Sequence, residues 1–151
     1  MINFLIMSDG HAEQVLDIER LFHQHGVRVT AQRRGVWGFF AAHARGCGMA
    51  EAVDGLKGQG IGQATVYRTV FLLADLGLLR RVQGAEGAFY IAIHPGHHHP
   101  LICQGCRRVV EFDSCDLSVL ERLLGAETGY RIRGHHLEVF GLCPECQGGG
   151  G

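Results

Sequence analysis

Apolar residues recur at helical spacing through the first half of the chain and at strand spacing through parts of the second. Val15, Ile18, Leu21 and Phe22 fall three and four apart within residues 12–25, which predicts an amphipathic helix with Gly26 as its stop. Thr30 stands where an N-cap belongs, before residues 31–44. That segment carries Val36, Phe39 and Phe40 on one face and Arg33 and Arg34 in its first turns. A short helix over 49–58 runs into the glycine-rich KGQGIG. A fourth, over 62–77, has Val66, Val70, Leu73 and Leu76 as one buried stripe and ends at Gly77. Two β-prone runs follow, LLRRVQ and AFYIAI, around GAEG, which is a hairpin signature.

Helices followed at once by a basic hairpin predict a winged helix-turn-helix whose last helix enters a major groove. Residues 94–96, HPG, read as a hinge to a second unit. There the pattern predicts a strand near 100–103, another over 107–112, a helix over 116–129 and a strand over 130–141. The expected fold class is α+β. A winged-helix domain covers 1–93, with 1–10 flexible, a small α/β module covers 97–146, and the glycine-rich 147–151 is a disordered tail.

Composition narrows the class without naming a partner. An apolar fraction of 46% and a mean hydropathy of +0.07 belong to a globular chain. The net charge is −1, and splitting the chain does not help: residues 1–93 hold nine Lys+Arg against eight Asp+Glu, the remainder five against seven. A nucleic-acid reading therefore rests on where charges sit. No stretch approaches the roughly 20 apolar residues of a membrane helix, and MINFLIM is too short for a signal segment. A cytoplasmic chain keeps its thiols reduced, so six cysteines argue for metal before disulfides.

Cys103 and Cys106 form one CxxC, Cys143 and Cys146 another. Each turn points two thiolates at one ion, and the pair completes a tetrahedral set suited to structural Zn²⁺, closed to any substrate. Cys47 and Cys115 fall outside it and read as small buried hydrophobes. His97, His98 and His99 are consecutive, so in an extended strand His97 and His99 share one face and His98 takes the other. Two metal sites, one per face, would account for the run. His135 or His136 and Glu111 are candidates to complete them, with His94 and Cys47 reaching from the hinge and the helical half.

Four stretches together, GVRVTAQRRGV, GQATVYRTVFLLADLGLL, HHHPLICQGCRRVVEF and GLCPEC, resemble the ferric uptake regulator (Fur) family of bacterial metal-sensing repressors, of iron or zinc type. The resemblance covers about residues 12–146. It implies no enzyme but a homodimeric repressor of metal-uptake genes, with no membrane and no small-molecule substrate. The winged helix would read AT-rich palindromic operator DNA, the C-terminal domain would dimerise, and a regulatory Zn²⁺ or Fe²⁺ at the hinge would select the DNA-binding shape. Tyr67 and Arg68 would face DNA. Gln63 and Thr65, near the helix start, join them on geometric grounds, since such residues meet base edges. Arg33, Arg80 and Arg81 would meet phosphates.

The resemblance also maps metal ligands. The structural zinc falls on the cysteine quartet. A dimer-domain site falls on His97, His99 and His135; its usual Glu falls on Ser118, with Asp116 one helical step away as the substitute. The hinge site departs further. Its usual ligands fall on Arg80, near Tyr90 or Ala92, and on Pro100. What survives is Cys47, His98 and Glu111, with His94 as a fourth, a set that leans to zinc over iron. Rival readings are a zinc hydrolase, for which no HExxH or nucleophile motif exists, and a zinc-dependent interaction module without DNA binding. Within the family, peroxide sensing is a third, without the hinge Asp it usually requires.

Overall fold

The computed structural model describes residues 4–5, 11–93, 98–113 and 115–149. The expected hinge 94–96, with His94, and His97 lie outside the described residues, as does the side chain of Val15.

Four helices build the N-terminal half: α1 (His11–Gln24), α2 (Ala31–Ala42), α3 (Met49–Leu56) and α4 (Gln63–Asp75). Their sequence signals are realised locally. The Thr30 hydroxyl accepts the Arg33 N–H at 3.1 Å and caps α2. Gly26 and Gly77 adopt φ of 65° and 74°, the left-handed turn that lets the chain leave α1 and α4. Ile18, Phe22, Val36, Leu56, Val66, Val70 and Leu73 are fully buried in one core, with Leu21, Phe39 and Leu76 packed against it. Each such aliphatic side chain contributes about 1.5–3 kcal/mol by leaving water.

The wing is β2 (Leu79–Gly84) and β3 (Gly87–Ala92), antiparallel, with Arg81 opposite Tyr90. A four-stranded sheet follows in the order β1-β5-β4-β6. Its members are β1 (Phe4–Leu5), β4 (His99–Cys103), β5 (Val109–Phe112) and β6 (Val139–Gly141). Phe4 and Leu5, read from sequence as part of a flexible start, pair with Phe112 and Glu111 and cover the edge of β5. The strand expected over 130–141 shrinks to Val139–Gly141, because only those residues find a ladder, parallel to β4. Helix α5 (Ser118–Thr128) buries none of its residues within the chain. A short α6 (Pro144–Gln147) closes the second CxxC turn.

Residues 44–47 stitch the halves together. Cys47 exchanges both backbone hydrogen bonds with Tyr90 of the wing, at 3.0 and 2.8 Å. Gly46 N–H donates to the Arg107 carbonyl at 2.9 Å, and Val109 N–H to the Ala44 carbonyl at 3.0 Å. Arg107 adopts a φ of 63°, which aims its guanidinium at Glu51 in a two-pronged pair at 3.2 and 3.0 Å. Arg80 of the wing reaches Glu138 at 3.5 Å.

Candidate metal centres and nucleic-acid interface

The four quartet sulfurs lie within 4.8 Å of one another. Two loops of chain create this. Cys103 and Cys106 flank the turn between β4 and β5, and Cys143 and Cys146 flank the start of α6. Cys106 and Cys143 sulfurs stand 3.8 Å apart. That matches the sulfur–sulfur edge of about 3.8 Å expected for a tetrahedron with Zn–S bonds of about 2.3 Å. Gly105 is required between them, since a Cβ there would meet the Cys146 sulfur at 2.9 Å. Arg108 grips Glu145 of the opposite turn at 3.0 and 2.8 Å and ties the two turns together.

The electrostatics of the quartet suit a cation. Burial pushes the Cys103 thiol up, but N–H donors of Cys143, Cys106 and Gly105 outweigh it and hold the thiol down at about 6. Cys146, hydrogen-bonded to the sulfurs of Cys143 and Cys103, is pushed up to about 12. Clustered thiols resist ionising together, and a divalent ion removes that repulsion while expelling their protons. Zinc affinity is therefore expected to fall with pH. The Cys103 contribution is lost as pH drops through about 6, because the thiolate dominates above that value and protonates below it. Competition with a chromophoric chelator at successively lower pH measures this; a pH-independent affinity would contradict it.

A second cluster was only half legible. His99, Cys115 and His135 also place one donor each within 4.8 Å of the others. The strand register explains the faces. Phe112 opposes His99 on β4, and the two rings stand 5.5 Å apart, whereas Pro100 opposes Glu111. His99 and Glu111, twelve positions apart in sequence, thus belong to opposite faces of the sheet. Asp116 does not join the cluster: its carboxylate accepts the backbone N–H of Ser118 at 3.1 Å and the hydroxyl at 2.5 Å, anchoring the start of α5. Cys115, expected to be a buried hydrophobe, takes the place instead, half-buried. Its sequence signal was no more than a cysteine near a His-rich strand. His136 is exposed.

The hinge candidates are less drawn together. Glu111 is buried, 1% exposed, opposite Pro100, and His98, two positions before Pro100, is half-buried. Cys47 is part of the winged-helix core. Burial pushes its thiol up to about 11, with Glu51 adding to the rise and Arg107 opposing it. Among the described residues no group of three donors joins Cys47 to His98 and Glu111.

On α4, Val66, Val70 and Leu73 turn inward, leaving Gln63, Tyr67 and Arg68 exposed and Thr65 half-buried. Arg68 reaches the Thr65 hydroxyl at 3.5 Å. Arg81 is exposed. Arg80 is not a free cation for phosphate, being held by Glu138. Arg33 is half-buried and donates to the Arg28 carbonyl at 2.6 Å.

The family model of the Ferric uptake regulator family matches residues 24–140. The ferric uptake regulation protein of Neisseria meningitidis is 33% identical over 129 residues, spanning 83% of this chain and 90% of its own. The peroxide operon regulator of Bacillus subtilis is 26% identical over 138 residues, spanning 89% and 94%. A zinc uptake regulator solved with zinc and DNA superposes with a TM-score of 0.71 at 25% identity, covering 93% of this chain and 97% of that one.

Proposed function

The chain belongs to the ferric uptake regulator family, and from that premise we propose that it is a metal-dependent repressor of metal-uptake genes. Members of this family are transcriptional regulators rather than enzymes. The observation that carries the DNA reading is the division of α4, apolar stripe inward and Gln63, Tyr67 and Arg68 outward. A helix so mounted can lie in a major groove. The operator is AT-rich and palindromic in this reading, matching a two-fold dimer.

The cysteine quartet holds structural zinc, which as a closed four-thiolate site organises the C-terminal domain and offers no position to a substrate. The regulatory ion sits at the hinge, where His98 and Glu111, with His94 and Cys47, are the proposed ligands. By tying the winged helix to the sheet it narrows the orientations the two heads of a dimer sample. Metal and operator then favour the same state, so each raises the affinity of the other by the same factor, typically ~1–3 kcal/mol.

Zinc is the regulatory ion we favour, on the mixed sulfur, nitrogen and carboxylate donors and the likeness to a zinc uptake regulator. Iron(II) is the second reading, favoured by the identity to the Neisseria protein. Mobility shift with AT-rich palindromic DNA, titrated with zinc, with iron(II) and with chelator, decides. Binding indifferent to both metal and sequence would leave only an interaction module.

Two side chains separate readout from attraction. Arg68→Ala is expected to weaken operator binding by about 1–3 kcal/mol and relax specificity at one position. Arg81→Ala should weaken all duplexes alike and reduce the salt slope by about 1. Titrations over a range of salt concentrations with matched and scrambled duplexes measure both. Equal losses on both duplexes for Arg68→Ala would remove it from the base-reading set.

A further inference from the structure

We propose that Cys115 is a metal ligand, and that with His99 and His135 it makes a second, thiolate-bearing site that takes zinc in preference to iron(II) or manganese(II). The proposal rests on the C-terminal module being a metal-binding domain, as read above. It does not require that the chain bind DNA.

The donors converge. The Cys115 sulfur stands 2.9 Å from His99 Nε2 and 3.2 Å from His135 Nε2, and the two Nε2 atoms are 3.4 Å apart. Zinc bonds of about 2.0–2.1 Å to nitrogen and about 2.3 Å to sulfur set ligand–ligand edges of about 3.3–3.6 Å in a tetrahedron. The triad is thus one face of such a tetrahedron, drawn slightly closer by hydrogen bonding. His135 Nδ1 lies 2.8 Å from the Glu121 carboxylate. That bond takes the ring proton to Nδ1 and leaves the Nε2 lone pair aimed at the sulfur, the support a ligating histidine usually has. His99 is 3% exposed and stacks on His135 at 5.1 Å, which fixes the second imidazole and keeps water from one side.

The donor chemistry selects the ion. Among the described residues no carboxylate joins the three donors: Ser118 lies where the resembled family has a Glu, Asp116 is engaged by Ser118, and Glu121 is turned to the outer nitrogen of His135. A thiolate with two imidazoles is a soft-to-borderline set, which suits zinc and cobalt(II) and disfavours ions that prefer oxygen. Zinc binding forms the S–Zn bond and releases the thiol proton to solvent.

Cobalt(II) spectroscopy on the full chain tests this, after zinc has filled the chelator-resistant quartet. A thiolate-to-cobalt charge-transfer band is expected in Cys47→Ala, whose hinge site has no thiolate to give one, and is expected to vanish in the double variant Cys47→Ala with Cys115→Ser. Glu121→Ala should keep the band but weaken cobalt binding about 10–100-fold. Retention of one chelator-resistant zinc by each variant establishes that the quartet is folded. A band that persists in the double variant, or is absent from Cys47→Ala, would overturn the proposal. The band that Cys115→Ser alone retains reports the Cys47 thiolate at the hinge, and the band that Cys47→Ala alone retains reports Cys115, so failure here and failure of the regulatory reading give different spectra.

Discussion

Cys143→Ser is expected to collapse the C-terminal domain while leaving the winged helix folded. Structural zinc in small modules supplies on the order of 10 kcal/mol of apparent folding energy. Few other sources exist in this half of the chain. The second core cluster is Val82, Phe89, Ile91, Ile93, Ile102 and Val109, and only the last two belong to the four-stranded sheet. Helix α5 buries nothing within the chain. Cys143 holds the site twice, through its sulfur beside Cys106 and through its N–H, which donates to Cys103 at 3.3 Å. Serine keeps that N–H but removes a thiolate, and without the ion the turn that presents Cys146 is released. Zinc per chain should fall, and limited proteolysis should cut beyond residue 98 while residues 11–93 resist. The winged helix keeps its own core, from Ile18 to Ala92. A Cys143→Ser protein with undiminished zinc and melting temperature would show that the quartet is not a structural clamp.

The second large effect concerns assembly. Leu123→Glu on α5 is expected to give a monomer and to lower operator affinity by about 10²–10⁴-fold, the gain usually conferred by linking two binding modules. Val119, Leu120, Leu123 and Leu124 are between 43% and 56% exposed on one helix, and Phe140 and Leu142 are exposed as well. A patch of that kind marks an interface, and a second copy of the chain is the occupant that a dimeric family implies and that the proposed palindromic operator would match. The glutamate faces solvent in a monomer, so its folding penalty there is small. Sedimentation measures the mass, mobility shift the affinity, and quartet zinc the integrity of the fold. A Leu123→Glu dimer that binds the operator normally would place the interface elsewhere.

Much of the architecture was legible because its causes are local. Thr30 caps α2, Gly26 and Gly77 turn the chain out of α1 and α4, and the stripe Val66, Val70, Leu73 can only face a core. The paired CxxC turns announced a four-sulfur site, since few other arrangements use two such turns in a reduced chain. What failed was whatever depended on a partner far along the sequence. The strand over 130–138 lacked a neighbour to pair with. Arg80 reads as a free wing cation until Glu138 is placed beside it. Phe4 and Leu5 carry no strand signal strong enough to survive without the exposed edge of β5.

By itself, then, the order of residues determined the helices, the wing, the CxxC pair and the family, because spacing, caps and thiol chemistry act over a few positions. Tertiary structure alone decided which donors meet. It set His99 and Glu111 on opposite faces of one sheet, drew Cys115 to His99 and His135, and left Asp116 bonded to Ser118 at the start of α5. Cys47, already read from the sequence as a small buried hydrophobe, lies in the winged-helix core. The physical reason is that a metal site samples distances of a few ångströms between residues tens of positions apart, and only strand register and loop closure fix those distances.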